Sequence, residues 1–247
     1  MIKAALENQI GRITLCRPEA HNALTKQAMG ELQATLEGWA KSDIRAVIIT
    51  GEGRSFCAGA TLDELGDGDW NANPLTPLCA TVEGFKAPVI AALNGGVYGG
   101  GVDLALACDF RIGIEGMKMF VPPAKLGIHY EPEGMARAVQ RLGAQMARRV
   151  FLLAESLEAD ALLAHGFLDK LVPKDALGPA AREMAHTIQA LAPMAVQGMK
   201  QTILEISQNR LNNAAAQART RACFASADHA EGLNAHREKR APKFTGK

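Results

Sequence analysis

The sequence predicts an α/β fold, with buried strands joined by crossover helices in its first two thirds and a helical C-terminal third. Three observations carry this. Residues 46–50 and 88–93 are short, unbroken apolar runs, as strands covered on both faces require. Each of these runs leads through a glycine-bearing loop toward a helical stretch. From Ala136 onward the pattern is helical nearly to the end, with breaks at Gly166, Pro173, Gly178 and Pro193.

Taken in order, residues 10–16 (Ile-Gly-Arg-Ile-Thr-Leu-Cys) alternate as a strand does and stop at Arg17-Pro18. From Thr25 to about Lys41, Ala28, Met29, Leu32, Leu36 and Trp39 recur at helical spacing. The strand at 46–50 is closed by Gly51, and a loop follows to Gly59. Residues 66–77 are rich in turn formers and read either as a plain surface loop or as a lid over a pocket. The strand at 88–93 runs into Asn94-Gly95-Gly96-Val97-Tyr98-Gly99-Gly100-Gly101, then a helix over 102–107 and a strand over 110–114. No internal repeat or low-complexity segment interrupts this order.

A chain of 247 residues buries a sizeable core, and 48% hydrophobic with 21% charged residues is ordinary for a globular protein. A formal net charge of +1 argues against nucleic acid or an anionic membrane as the main partner. The basic clusters Arg137 with Arg141, Arg148 with Arg149, and 237–240 read as solvated helix faces. The five cysteines are scattered without CxxC spacing, which disfavours disulfides and zinc and suggests a reducing compartment. The six histidines also lack metal-ligand spacing, so no metal site is expected. No apolar run reaches the roughly 18 residues a membrane helix needs. With no apolar signal core at Met1-Ile2-Lys3, the cytoplasm is the expected location.

A glycine loop between a buried strand and a helix exposes backbone N–H groups at a helix N-terminus, where an anion or a developing oxyanion is favoured. Named alternatives fail: there is no GxxxxGK[ST] and no GxGxxG, and Gly53-Arg-Ser-Phe-Cys57 lacks the last glycine of a nucleophile elbow. What survives is polarisation of a carbonyl by backbone amides.

These residues carry a resemblance. Pro18 with Asn22-Ala23-Leu24, then Ser55-Phe56-Cys57-Ala58-Gly59-Ala60, then Asn94-Gly95 through Gly99-Gly100-Gly101, and Ala107-Cys108-Asp109 resemble the enoyl-CoA hydratase/isomerase (crotonase) superfamily. The tail, Glu231-Gly232-Leu233 with 238–244, is similar to that family's C-terminus, so the likeness covers essentially the whole chain. It implies a crotonase-like spiral of ββα repeats over 1–190 and a helical trimerisation region over 191–247, in a homotrimer or hexamer. It implies an acyl-CoA substrate, no separate cofactor, and a thioester carbonyl held by the amides of Ala60 and Gly100. Contacts to the CoA map to Ala23, Leu24, Ala58, Ala60 and Leu62, with Lys243 and Phe244 reaching the CoA of an adjacent subunit. Where the family usually has an acidic residue after the Ala60 position, this chain has Thr61.

The reaction depends on the flanking acid/base groups. In the family's hydratases two glutamates share a water; here the first position is Asp103, one helical turn beyond Gly100, and the second is Pro123, which has no proton to move. The Asp103 carboxylate also has a plain reading as an acidic residue at a helix N-terminal turn. Tyr130 matches the active-site tyrosine of methylmalonyl-CoA decarboxylase-type members and could quench an enolate. Glu131 lies near another catalytic carboxylate position of the family, and His129 is either a titrating or a structural histidine. Hydratase or isomerase chemistry on an enoyl-CoA, decarboxylation of a malonyl-type CoA, and a non-catalytic acyl-CoA-binding or RNA-binding relative all stay open.

Overall fold

The computed structural model describes residues 1–61 and 73–247. The chain opens with a hairpin of β1 (Ile2–Glu7) and β2 (Ile10–Leu15), turned by Asn8 and Gln9 at φ 47° and 66°. Positive φ at both central residues gives the turn the twist that antiparallel strands need. β1 is mostly exposed and carries no alternation of its own.

Thr25 caps α1 (Lys26–Trp39), its hydroxyl accepting from the Ala28 amide at 3.1 Å. As expected from spacing, Ala28, Met29, Leu32 and Leu36 are the buried face. The strand predicted at 46–50 is β3 (Ala46–Gly51), whose first five residues are buried. The one at 88–93 is β5 (Val89–Leu93), buried throughout.

From β3 onward one unit recurs. A strand enters a six-stranded sheet, a short strand enters a four-stranded sheet, and a helix returns the chain. β3, β4 (Ser55–Cys57) and α2 (Leu75–Glu83) make the first such unit. β5, β6 (Gly96–Tyr98) and α3 (Gly100–Ala107) make the second. β7 (Phe110–Ile114), β8 (Lys118–Phe120) and α4 (Pro132–Leu152) make the third. The large sheet runs β1-β2-β3-β5-β7-β10, parallel from β2 onward; the small one runs β4-β6-β8-β9.

Two expectations need correction. The turn-rich stretch at 66–77 ends sooner than its composition suggests, because α2 already starts at Leu75; its earlier part lies outside the described residues. The C-terminal third is not purely helical. Two short strands, β9 (Leu157–Glu158) and β10 (Lys170–Val172), fall between α4, α5 (Ala159–Ala164) and α6 (Leu177–Gln189). They close the edges of the two sheets and are too short to mark the sequence.

α6 covers β3, β5 and β7 on one side of the large sheet. Beyond it, α7 (Pro193–Ser207), α8 (Asn213–Phe224) and α9 (Ala227–Glu238) pack in succession. α3 is buried on all sides from Gly101 to Ala107, so its N-terminus is fixed by the core.

Candidate active site

β4 and β6 are parallel neighbours, so their C-terminal ends deliver two loops side by side. Ala58-Gly59-Ala60 leaves β4, and Gly99 links β6 to the first turn of α3. Gly59 has φ +84°, and a Cβ on it would stand 2.5 Å from Gly100 N. Only a residue without a side chain lets the main chains touch there. A Cβ on Gly100 would lie 3.7 Å from Ala60 N, which places both amides in one small volume. Gly100 is the first residue of α3, so its N–H has no partner within the helix.

A third segment braces this pair. Leu24 N–H donates to Gly59 O at 2.7 Å and Thr61 N–H to Leu24 O at 3.1 Å. Leu24 therefore lies against Ala60, with Ala23 and Ala58 adjacent in sequence, and the structure brings this pair beside Gly100. Leu62 lies outside the described residues. A contact that sequence reasoning missed ties the same loops further in: His21 Nδ1 and Ser55 Oγ are 2.8 Å apart.

Asp103 is on the first turn of α3 and buried. Its carboxylate is bound by the Arg137 guanidinium from α4. Arg137 also pairs with Glu83 of α2 (Nε–Oε1 3.2 Å), which takes a further bond from Gln208 at 3.2 Å and faces Arg141 at 3.7 Å. Burial pushes the Asp103 carboxyl above the usual carboxylate range, with the guanidinium opposing the shift. Desolvation works to lower Arg137, but its two carboxylate neighbours outweigh it and hold the cation charged. The expectation that Arg137 lies on a solvated face is therefore overturned: it is 5% exposed. Helical spacing gives a face, not what packs on it.

Pro123 opens a 3-10 turn, Pro123–Leu126, and offers no carboxylate. Tyr130 sets its ring against Phe151, centroids 4.9 Å apart, and its hydroxyl donates to Gly99 O at 3.1 Å. Burial raises its phenol well above the ordinary range, and the nearby Asp103 adds to this. Glu131 is half-buried at the start of α4, accepting from Asn73 Nδ2 at 3.1 Å. Asn73 also accepts from the Leu75 amide at 3.0 Å, and the Leu75 side chain lies where a Cβ on Gly100 would fall. Glu131 is thereby linked to the Gly100 loop through Asn73 and Leu75. His129 is exposed, its ring bonded to the Tyr130 carbonyl at 2.7 Å.

Lys243 and Phe244 are elsewhere in the chain, folded back on α9. The Lys243 amide donates to Glu231 at 2.7 Å, and the Phe244 ring packs on Gly232. Arg240, helped by that amide, draws the Glu231 carboxyl down to about 2. Phe244 borders an apolar cavity of about 740 Å³ between α7, α8 and α9. Among the described residues no group of histidine, cysteine, aspartate or glutamate is placed to hold a metal ion. No described helix is long and apolar enough to cross a membrane.

Comparison with known proteins agrees with this fold. The model of the enoyl-CoA hydratase/isomerase family matches residues 5–247. A 2,3-dehydroadipyl-CoA hydratase of Escherichia coli is 33% identical over 95% of this chain and 94% of its own length. A short-chain-enoyl-CoA hydratase of Clostridium acetobutylicum is 32% identical over 95% and 93%. The crystal structure of an enoyl-CoA hydratase from Bacillus anthracis, 29% identical, superposes with a TM-score of 0.91, covering all of this chain and 99% of that one. With a spiral of strand–strand–helix units, two glycine loops meeting at Ala60 and Gly100, and a family match across nearly its whole length, this chain belongs to the enoyl-CoA hydratase/isomerase (crotonase) family.

Proposed function

We propose that this protein binds an acyl-CoA thioester and stabilises its enolate in an oxyanion hole formed by the N–H groups of Ala60 and Gly100. The observation that supports this best is the direct contact of the two loops through Gly59, which brings the Ala60 and Gly100 amides into one small volume. Losing one such donor typically costs about 3–4 kcal/mol of transition-state stabilisation. Ala23, Leu24 and Ala58 line the path of the CoA arm in this reading, and Leu62 is assigned to the CoA from sequence alone. Lys243 and Phe244 serve the CoA of a neighbouring copy. The chemistry asks for no cofactor beyond the thioester.

Water addition by two carboxylates has poor support here, since Pro123 replaces one and Asp103 is bound to Arg137. Glu131 is the carboxylate left at the rim, and one carboxylate suffices for double-bond isomerisation. It would take the α-proton of a 3-enoyl thioester, the electron pair running into the carbonyl as a dienolate. The resulting carboxylic acid would return the proton to C4, giving the 2-enoyl thioester. The lack of a carboxylate at Pro123 also favours a second reading, decarboxylation of a malonyl-type CoA such as methylmalonyl-CoA. That reaction needs the hole and a proton at Cα but no base.

A turnover panel of crotonyl-CoA, a 3-enoyl-CoA and methylmalonyl-CoA separates these. Isomerisation by the wild type should fall about 10²–10⁴-fold in Glu131→Gln. Methylmalonyl-CoA decarboxylation indifferent to that change selects the second reading. Tight acyl-CoA binding with no turnover in any arm would leave a non-catalytic binder and overturn both.

We assign residues 1–190 to the spiral core and residues 191–247 to assembly into a homotrimer or hexamer. Met199, Ile203 and Ile206 on α7 and Phe224 closing α8 support this, being 58, 63, 55 and 67% exposed. A soluble, cytoplasmic enzyme fits these features.

A further inference from the structure

We propose that Tyr130 is a positioning residue of the oxyanion hole, its hydroxyl fixing and polarising the peptide unit that ends in the Gly100 N–H. This rests on the enolate reading above and assigns Tyr130 a role other than proton donor to the substrate.

The acceptor identifies the role. Tyr130 donates to Gly99 O at 3.1 Å, and the Gly99 carbonyl and the Gly100 N–H are opposite ends of one planar amide. Turning that carbonyl turns the N–H with it. Gly99 has φ 50° and ψ −125°, a conformation that residues with side chains rarely adopt, so local backbone preference does not set the plane. External bonds do. The Gly99 carbonyl accepts from Val102 N–H at 3.0 Å and from Tyr130, while the Gly99 N–H, part of the preceding peptide unit, donates to Phe120 O at 3.0 Å and anchors the other side of the residue.

Two donors on one carbonyl draw electron density from the amide nitrogen, so its N–H becomes the stronger donor toward an oxyanion. The phenol is held ready for this. Its ring rests on Phe151, and a Cβ at Gly134 would come within 2.7 Å of the ring and 3.0 Å of the Asp103 carboxylate. The absence of a side chain at 134 thus lets Tyr130 sit down on the first turn of α3. Burial keeps the phenol protonated, so the donation persists into alkaline solution. The same bond directs the phenolic proton at the backbone and away from an acyl group.

The test is the infrared stretch of butyryl-CoA labelled with ¹³C at its thioester carbonyl. It is read free and bound to wild type, Tyr130→Phe and protein carrying 3-fluorotyrosine at position 130. The wild type should lower the stretch. Tyr130→Phe should give back part of that shift, with kcat down about tenfold and KM within about twofold, a weaker loss than deletion of a hole donor. The fluorinated phenol, a stronger donor of nearly the same shape, should lower the stretch further, which a purely structural role would not do. A full shift retained in Tyr130→Phe, or no response to fluorination, overturns the inference while leaving the hole intact. No lowering in the wild type would remove the hole itself, and this inference with it.

Discussion

Gly100 works through what it lacks. A Cβ there would run into Leu75, the residue that follows Asn73 and Pro74 on the Glu131 side of the site. In Gly100→Ala the methyl group must move Leu75 or tilt the N–H, and either spoils the fit of a carbonyl. Turnover should fall at least about tenfold while far-ultraviolet circular dichroism and the melting temperature stay close to wild type; full activity would mean the acyl group sits elsewhere. The glycine run was legible in the sequence, because a backbone donor needs only a strand, a glycine and a helix start. Leu75, Asn73 and His21 were not. Their contacts with Gly100, Glu131 and Ser55 span 25 to 58 positions and arise only when the loops close.

At the scale of the element, α4 gathers several of the candidate site residues. Tyr130 and Glu131 stand at its entrance, and Gly134 and Arg137 follow at helical spacing on the face toward α3. Arg137 is the one buried cation between Asp103 and Glu83 among the described residues. Removing it in Arg137→Met strands two carboxylates, and loss of a buried partner typically costs about 3–5 kcal/mol. Chemical denaturation should show a loss of that size, with part of it recovered when Asp103→Asn is added; a loss below 1 kcal/mol would mean water reaches the pair. The long strands β3 and β5 were readable as unbroken apolar runs. β4, β6 and β8, only three residues each, were not, since their pairing is set by the repeat of the spiral and not by local pattern. The helix itself was anticipated but not its break at Gly143, where φ 78° and ψ 157° leave the helical region.

Over the whole molecule, the apolar side of α7 to α9 is the feature a single chain leaves unfinished. Leu233 and Phe244 join the exposed residues of α7 around the cavity of about 740 Å³. Covering that surface with further copies of the chain buries it at roughly 25 cal/mol per Å² of apolar area. Ile203→Lys should therefore shift the mass measured by light scattering from a trimer or hexamer to a monomer; an unchanged mass would place the interface elsewhere. The architecture also bears on how readily the reaction can be altered. Both donors of the proposed hole are main-chain amides, so a point mutation can displace them but cannot replace one with a different functional group. The side chains that would set the fate of the intermediate are Pro123 and Glu131, which stand in a loop and at a helix start and, unlike Tyr130, make no bond to the Gly99–Gly100 peptide. Libraries confined to these two positions, with Tyr130 kept, would hold the intermediate constant and sample its fates.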